Sequence, residues 1–174
     1  VVVINKMDTA DLADIEAVRR DIEKVNPGAT VIDAASPLFV EDGSKITGKR
    51  VLCVEDGPTL THGGMKYGAA VMAARKYQAA EIIDPRPFVT GLIERTFKRY
   101  PDIGALLPAM GYGEKQIADL EKTISKVDCD LVVIGTPINL GRIINIPQPS
   151  VRVTYELEEI GKPDLYDVLA PFIK

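Results

Sequence analysis

The chain has 174 residues, 46% of them apolar and 26% charged, a composition typical of a globular protein of one ordinary domain and too short for two full ones. With 21 basic against 25 acidic residues the net charge is −4, which argues against a general nucleic-acid binder, because phosphate contacts need a broad basic face. Uncharged runs such as Leu131–Gly141 fall well short of the ~18 residues of a membrane span, and two cysteines, Cys53 and Cys129, both in apolar stretches, read as core residues of a cytoplasmic protein and not as a disulfide or zinc framework.

In chain order, the first element is a strand over Val1–Ile4. It opens without Met, and Asn5, Lys6 and Asp8 interrupt it too early for a signal peptide, so the chain reads as the C-terminal portion of a longer protein. Asp11–Asn26 places Leu12, Ile15, Val18, Ile22 and Val25 at helical spacing, with Asn26-Pro27-Gly28 as the stop. Strands follow at Thr30–Asp33 and Arg50–Glu55, separated by turn-rich residues 38–49, an internal seam of what otherwise reads as one unit over 1–174. Gly64–Tyr77 is an Ala-rich helix, Ala80–Asp84 a strand, Phe88–Tyr100 a helix, Glu114–Val127 another, and Asp130–Ile134 a strand. Val151–Leu157 alternates like an edge strand, antiparallel in this reading, before a closing helix over Asp164–Ile173. Short, almost wholly apolar strands alternating with amphipathic helices predict an α/β fold with a mostly parallel, doubly wound sheet.

Ligands of such sheets sit beyond the carboxyl ends of the strands. The residues expected there include Asn5-Lys6-Met7-Asp8, Ala34-Ala35-Ser36, Glu55-Asp56, Asp84-Pro85-Arg86 and Gly135-Thr136-Pro137-Ile138-Asn139. Turn chemistry explains the glycines and prolines. It does not explain Lys6, Glu55, Asp56 and Arg86 collecting at one end. Asn5-Lys6-Met7-Asp8 directly follows a strand and precedes a helix, the context in which P-loop GTP-binding proteins carry Asn-Lys-x-Asp. There the Asp accepts from the N1–H and N2–H₂ edge of guanine, the Asn contacts the base and the Lys stem covers its face; Ser36 ends the loop that backs the base. The plainer alternative makes Asp8 a helix cap. No Gly-x-x-x-x-Gly-Lys-Ser/Thr occurs in the chain, so the phosphate loop is expected upstream, and these residues alone are expected to lack hydrolytic activity.

Residues 55–68 form a second dense segment. Gly63 and Gly64 open the predicted helix and let backbone N–H groups meet an anion, with Thr59, Thr61 and Lys66 adding donors. Glu55 and Asp56 are candidate Mg²⁺ ligands, and His62, the one histidine, is a candidate proton shuttle with Lys66. Arg86 is either a phosphate contact or an ion-pair partner. Thr136 and Asn139 are candidates for phosphate, and Met110-Gly111-Tyr112-Gly113 is either a backbone anion nest or a flexible turn.

Taken together, Val3-Ile4-Asn5-Lys6-Met7-Asp8, the run from Val54-Glu55-Asp56-Gly57-Pro58-Thr59 to Lys66-Tyr67-Gly68-Ala69, Asp84-Pro85-Arg86-Pro87, Pro108-Ala109-Met110-Gly111-Tyr112-Gly113 and Val133-Ile134-Gly135-Thr136-Pro137-Ile138-Asn139-Leu140 resemble the cyclic 2,3-diphosphoglycerate synthetases and their relatives described as predicted GTPases. The resemblance implies a P-loop NTPase-like fold, a cytoplasmic location, GTP or ATP with Mg²⁺, and phosphoryl transfer to a phosphorylated small molecule that closes an intramolecular phosphoanhydride. The expected partners are therefore a nucleotide and a phosphorylated small molecule, with a homodimer allowed, and neither nucleic acid nor membrane. A regulatory GTPase or metallochaperone-like protein and a non-catalytic interaction domain are the alternatives.

Overall fold

The computed structural model describes residues 1–62 and 65–173. The elements are β1 (Val2–Ile4), α1 (Leu12–Val25), β2 (Val31–Ala35), β3 (Leu38–Val40), β4 (Arg50–Asp56), α2 (Gly57–His62), α3 (Ala69–Lys76), β5 (Glu81–Ile82), α4 (Gly91–Arg99), β6 (Leu107–Ala109), α5 (Glu114–Lys126), β7 (Leu131–Gly135), β8 (Ser150–Tyr155), β9 (Glu158–Glu159) and α6 (Leu165–Leu169). The chain divides into two compact units, Val1–Leu38 with Tyr155–Lys174, and Phe39–Thr154. The division begins where the turn-rich seam of the sequence begins.

The first unit holds a three-stranded sheet in the order β1-β2-β9. β1 runs parallel to β2, with Val2 opposite Val31 and Ile4 opposite Asp33. β9 runs antiparallel on the other side of β2. Helix α1 appears where its periodicity predicts, but only Ile15 of its apolar face is buried; Leu12 stays 70% and Val25 85% exposed. Strands of three, five and two residues offer too little area to cover a 14-residue helix. α6 is fixed at its start by a capping box between Asp164 and Asp167.

The second unit is built on β4. Its sheet runs β3-β8-β7-β4-β5, with β6 also on β4. Every recorded pairing of β4 and β7 is parallel. β5 pairs with the start of β4, at Arg50 and Val51, and β6 with its end, at Val54 to Asp56. β4 and β7 carry continuous apolar runs because helices cover the sheet: Val51, Leu52, Cys53 and Val54 are fully buried, as are Val132 and Val133. Helix α3 packs on β4 and β7, and α4 packs on α5. Burial pushes the Cys53 thiol pKa up, in keeping with a core residue, whereas Cys129 is only half-buried.

The α/β class and mostly parallel pairing agree with the sequence. Three details differ. Ser150–Tyr155 is not an antiparallel edge strand: β8 pairs parallel with β7 and has β3 on its other side, and the antiparallel strand near the C-terminus is the short β9. β6 is invisible to pattern reading because Pro108 sits inside it; proline lacks the N–H that a ladder uses. Gly57–His62 forms a helix of its own, and the following helix begins at Ala69 and not at Gly64.

Leu52 lies within β4 with no exposed surface. Leu52→Ala is expected to destabilise the protein by about 2–5 kcal/mol, through lost transfer energy and a residual cavity; urea unfolding monitored by circular dichroism measures it.

Candidate functional site

Two polar clusters stand at strand ends, one in each unit. In the first, Asn5 follows β1 and Ser36 follows β2, so parallel pairing brings the two loops side by side. Ser36 joins them. Its hydroxyl donates to Asn5 Oδ1 at 2.9 Å, and its backbone N–H donates to Asp8 Oδ1 at 3.0 Å. Asn5 Oδ1 also accepts from the Lys6 N–H at 2.7 Å, and the Met7 N–H donates to the Ala34 carbonyl. Lys6 adopts φ 63°, a left-handed conformation uncommon for a residue with a Cβ. The turn is held by the Thr9 and Ala10 N–H groups, both donating to the Lys6 carbonyl. Asn5, Lys6, Asp8 and Ser36 are thus brought together. Asn5, Lys6 and Asp8 are exposed, and Ser36 is half-buried.

The second cluster surrounds the end of β4. Adjacent strand residues point to opposite faces, and Glu55 and Asp56 do so. Glu55 is 2% exposed. Its Oε1 accepts from the Val71 N–H at 2.9 Å, and the backbone of Gly68, Ala69 and Ala70 adds further hydrogen bonding. The carboxyl therefore occupies the first turn of α3. Glycines make room for it: a Cβ on Gly68 would lie 2.5 Å from Glu55 Oε2, and one on Gly135 would lie 2.6 Å from both that oxygen and the Ala70 nitrogen. Burial pushes the Glu55 pKa up to about 7, outweighing the backbone donors that pull it down. Asp56 instead caps α2, with Oδ2 accepting from the Thr59 hydroxyl at 2.7 Å and the Thr59 N–H at 3.3 Å.

These contacts change several readings of the sequence. The two acids do not converge on one cation, because each carboxyl serves a different helix. Among the described residues no group of three or more His, Cys, Asp and Glu side chains is gathered as for a metal ion. Glu55, buried on amide donors, does not fit a Mg²⁺ ligand. The start of α3, where an anion was expected, holds the chain's own carboxyl; Gly63 and Gly64 lie outside the described residues. Thr61 donates to the Gly57 carbonyl within α2, and exposed His62 has Nδ1 3.3 Å from the Thr61 hydroxyl. Lys66 has an exposed side chain, while its carbonyl accepts from the Gly104 N–H. Arg86 is spent internally: it pairs with Asp84 at 2.5 Å, donates to the Ile103 carbonyl and lies over the Phe97 ring at 4.8 Å. That favours the ion-pair reading over the phosphate one.

What does gather around Asp56 comes from the neighbouring strands. Asp56 is opposite Ala109 of β6, and Glu55 is opposite Gly135 of β7, so the loops after β4, β6 and β7 emerge together. Thr136 is buried and donates to the Ile138 carbonyl at 2.7 Å. Asn139 is half-buried at the start of a short 3-10 turn. Tyr112 belongs to this group: burial, then the negative field of Asp56, raises its pKa, and the neighbouring Thr136 hydroxyl pulls it down. The sequence offered only a glycine-rich loop at that point. A lone aromatic carries no spacing signal.

No known family profile matches the chain. It is 61% identical, over all 174 of its residues, to a protein of Thermococcus kodakarensis named arginine synthetase ArcE, and spans 39% of that protein's length. The chain is thus similar to part of a protein with a ligase's name.

Glu55 binds its proton more tightly in the folded protein than in the unfolded chain. The folded state therefore carries the extra proton between about pH 4.5 and pH 7, and stability falls as pH rises through that window. Glu55→Gln removes the ionisable group. The stability difference between wild type and variant is expected to shift by roughly 2–3 kcal/mol in favour of the variant from pH 4.5 to pH 8, measured by chemical denaturation at each pH.

Proposed function

We propose that the chain is a portion of a nucleotide-dependent ligase whose product is arginine or a closely related guanidino compound. The observation that carries the nucleotide half is the knot at Ser36, which ties Asn5 and Asp8 together through bonds of 2.9 and 3.0 Å. Two sequence-distant loops become one polar surface. In this reading Asp8 accepts from the N1–H and N2–H₂ edge of guanine, and Asn5 donates from Nδ2 to a base acceptor. The Lys6 stem covers the ring. GTP is the proposed nucleotide and ATP its rival. Mg²⁺ enters as the counter-ion of the nucleotide phosphates, not as an ion held by Glu55. A cytoplasmic location goes with this reading.

The substrate half rests on the loops around Asp56, with Thr136 and Asn139 beside them, and on the 61% identity to a protein named for arginine synthesis. Building a guanidino group replaces an oxygen on carbon by nitrogen, which water opposes and phosphoanhydride cleavage drives. Charge developing on the leaving oxygen needs preorganised donors, which hydroxyls and backbone N–H groups at such an edge supply. The second reading keeps the resemblance carried by Val54 to Ala69: a γ-phosphoryl passes to one phosphate of 2,3-diphosphoglycerate, and a neighbouring phosphate oxygen displaces inorganic phosphate as the ring closes.

The full-length protein separates the two. Nucleoside diphosphate release and arginine formation are followed with a ureido amino acid plus ammonia, and in parallel with 2,3-diphosphoglycerate. Arginine in the first mixture is the expected outcome; release and a cyclic product only in the second would replace it. Asp8→Asn is expected to shift the preference from guanine towards xanthine nucleotides by roughly 100-fold, read from competition binding. An unchanged preference would remove the base-reading role.

A further inference from the structure

The sheet of the first unit has two edges, and they differ in kind. β9 closes one edge with Glu158 and Glu159, both exposed; charged side chains of this sort keep a true edge from pairing with another strand. β1 forms the other edge with Val2, Val3 and Ile4, which carry no charge. Among the described residues β1 has a strand on one side only. Its Val2 N–H donates to the Thr30 carbonyl at 2.9 Å. Successive N–H groups of a strand point to opposite sides, so the Val3 N–H faces outward from the open edge.

The side chains agree with the backbone. Val3 lies opposite Ile32 and so shares its face of the sheet. Ile32 is 1% exposed, yet Val3 is 36% exposed, so the cover over β2 stops short of β1. Helix α1 is tied to β2 by the Arg19–Asp33 ion pair at 2.5 Å, and it leaves Leu12, Val18 and Val25 exposed. Most of the large apolar side chains left exposed among the described residues belong to this unit, although it is the smaller of the two. Strands of three, five and two residues make a sheet that is marginal without a further partner.

We propose that the open edge of β1 is an interface for the rest of a longer polypeptide, which adds an uncharged, apolar strand beside it. The 174 residues span 39% of the relative's length, so a protein of that length has ample chain to supply the strand. The added strand meets the outward N–H and carbonyl of Val3, extends the cover from Ile32 across Val3, and widens the apolar floor that α1 lies on. Being part of the same molecule, it needs little affinity of its own, because its effective concentration is high. A second copy fits the edge less well: β1 against β1 joins only three residues a side, far below the 20–30 or so of a stable interface. This interface is independent of the nucleotide and the product proposed above.

Amide hydrogen exchange on the full-length protein, read residue by residue across β1, tests this. The Val3 amide is expected to exchange at least about 100-fold more slowly than an unstructured amide, by a factor that dilution leaves unchanged. Val3→Pro removes the outward N–H and leaves the Val2 and Ile4 N–H groups that face β2; proline is tolerated at such a place on a true edge and not inside a sheet. The variant is therefore expected to melt about 3–6 °C below wild type, whereas Val3→Ile, which keeps the N–H, melts with it. A Val3 amide exchanging at the unprotected rate while Ile4 is protected overturns the proposal, and so does a Val3→Pro protein as stable as wild type. Protection that disappears on dilution, as light scattering shows subunits separating, assigns the edge to a second copy and overturns it too.

Discussion

The second unit depends on where one carboxyl is put. Glu55, the penultimate residue of β4, sits on the first-turn amides of α3, in space that only glycine at 68 and 135 leaves open. A carboxyl taken out of water is costly unless several donors meet it, and the start of a helix supplies such donors at once. Placing Glu55 there fixes α3 against β4 and β7, since a shift of the helix would strand the group in the core. It also determines what the neighbouring loops can do. The amides that a ligand anion would use are taken, so the polar business of the sheet edge passes to Asp56 and its neighbours.

Parallel register supplies those neighbours. β6 and β7 flank the end of β4, so residues 110–113 and 136–139 emerge beside Asp56 although they are more than fifty residues away in the chain. Asp56 on one face and Glu55 on the other divide the labour that the sequence gives to a single acidic pair: one builds the core, the other faces the loops. The first unit has a smaller version of the same geometry. There parallel pairing of β1 with β2 puts Ser36 where it can bond both Asn5 and Asp8. The proposed function assigns base reading to that arrangement.

Legibility from the sequence followed the strength of the local pattern. α1, α4 and α5 could be read within a few residues, because three-to-four spacing of apolar side chains is a local property that burial reinforces. β4 and β7 were legible as continuous apolar runs. β6 was not, since Pro108 argues against a strand unless the neighbour that tolerates it is known. β8 was placed on an edge because it alternates, yet alternation reports only that one face is wetter, not which strands lie beside it. Arg86, between Pro85 and Pro87, reads from the sequence as either a phosphate contact or an ion-pair partner; Asp84, Ile103 and Phe97 claim it once the chain is folded.

The sequence by itself determined the α/β class, the order of the longer helices and strands, and the polar loops at their ends, because all of these follow from side-chain periodicity and turn chemistry within a dozen residues. The tertiary structure alone decided the division into two units, the fate of each acid in the Glu55-Asp56 pair, and the company kept by Tyr112. Those are matters of which strands lie side by side and which helix start a carboxyl reaches. They depend on packing and desolvation between residues far apart in the chain, for which no local spacing carries a signal.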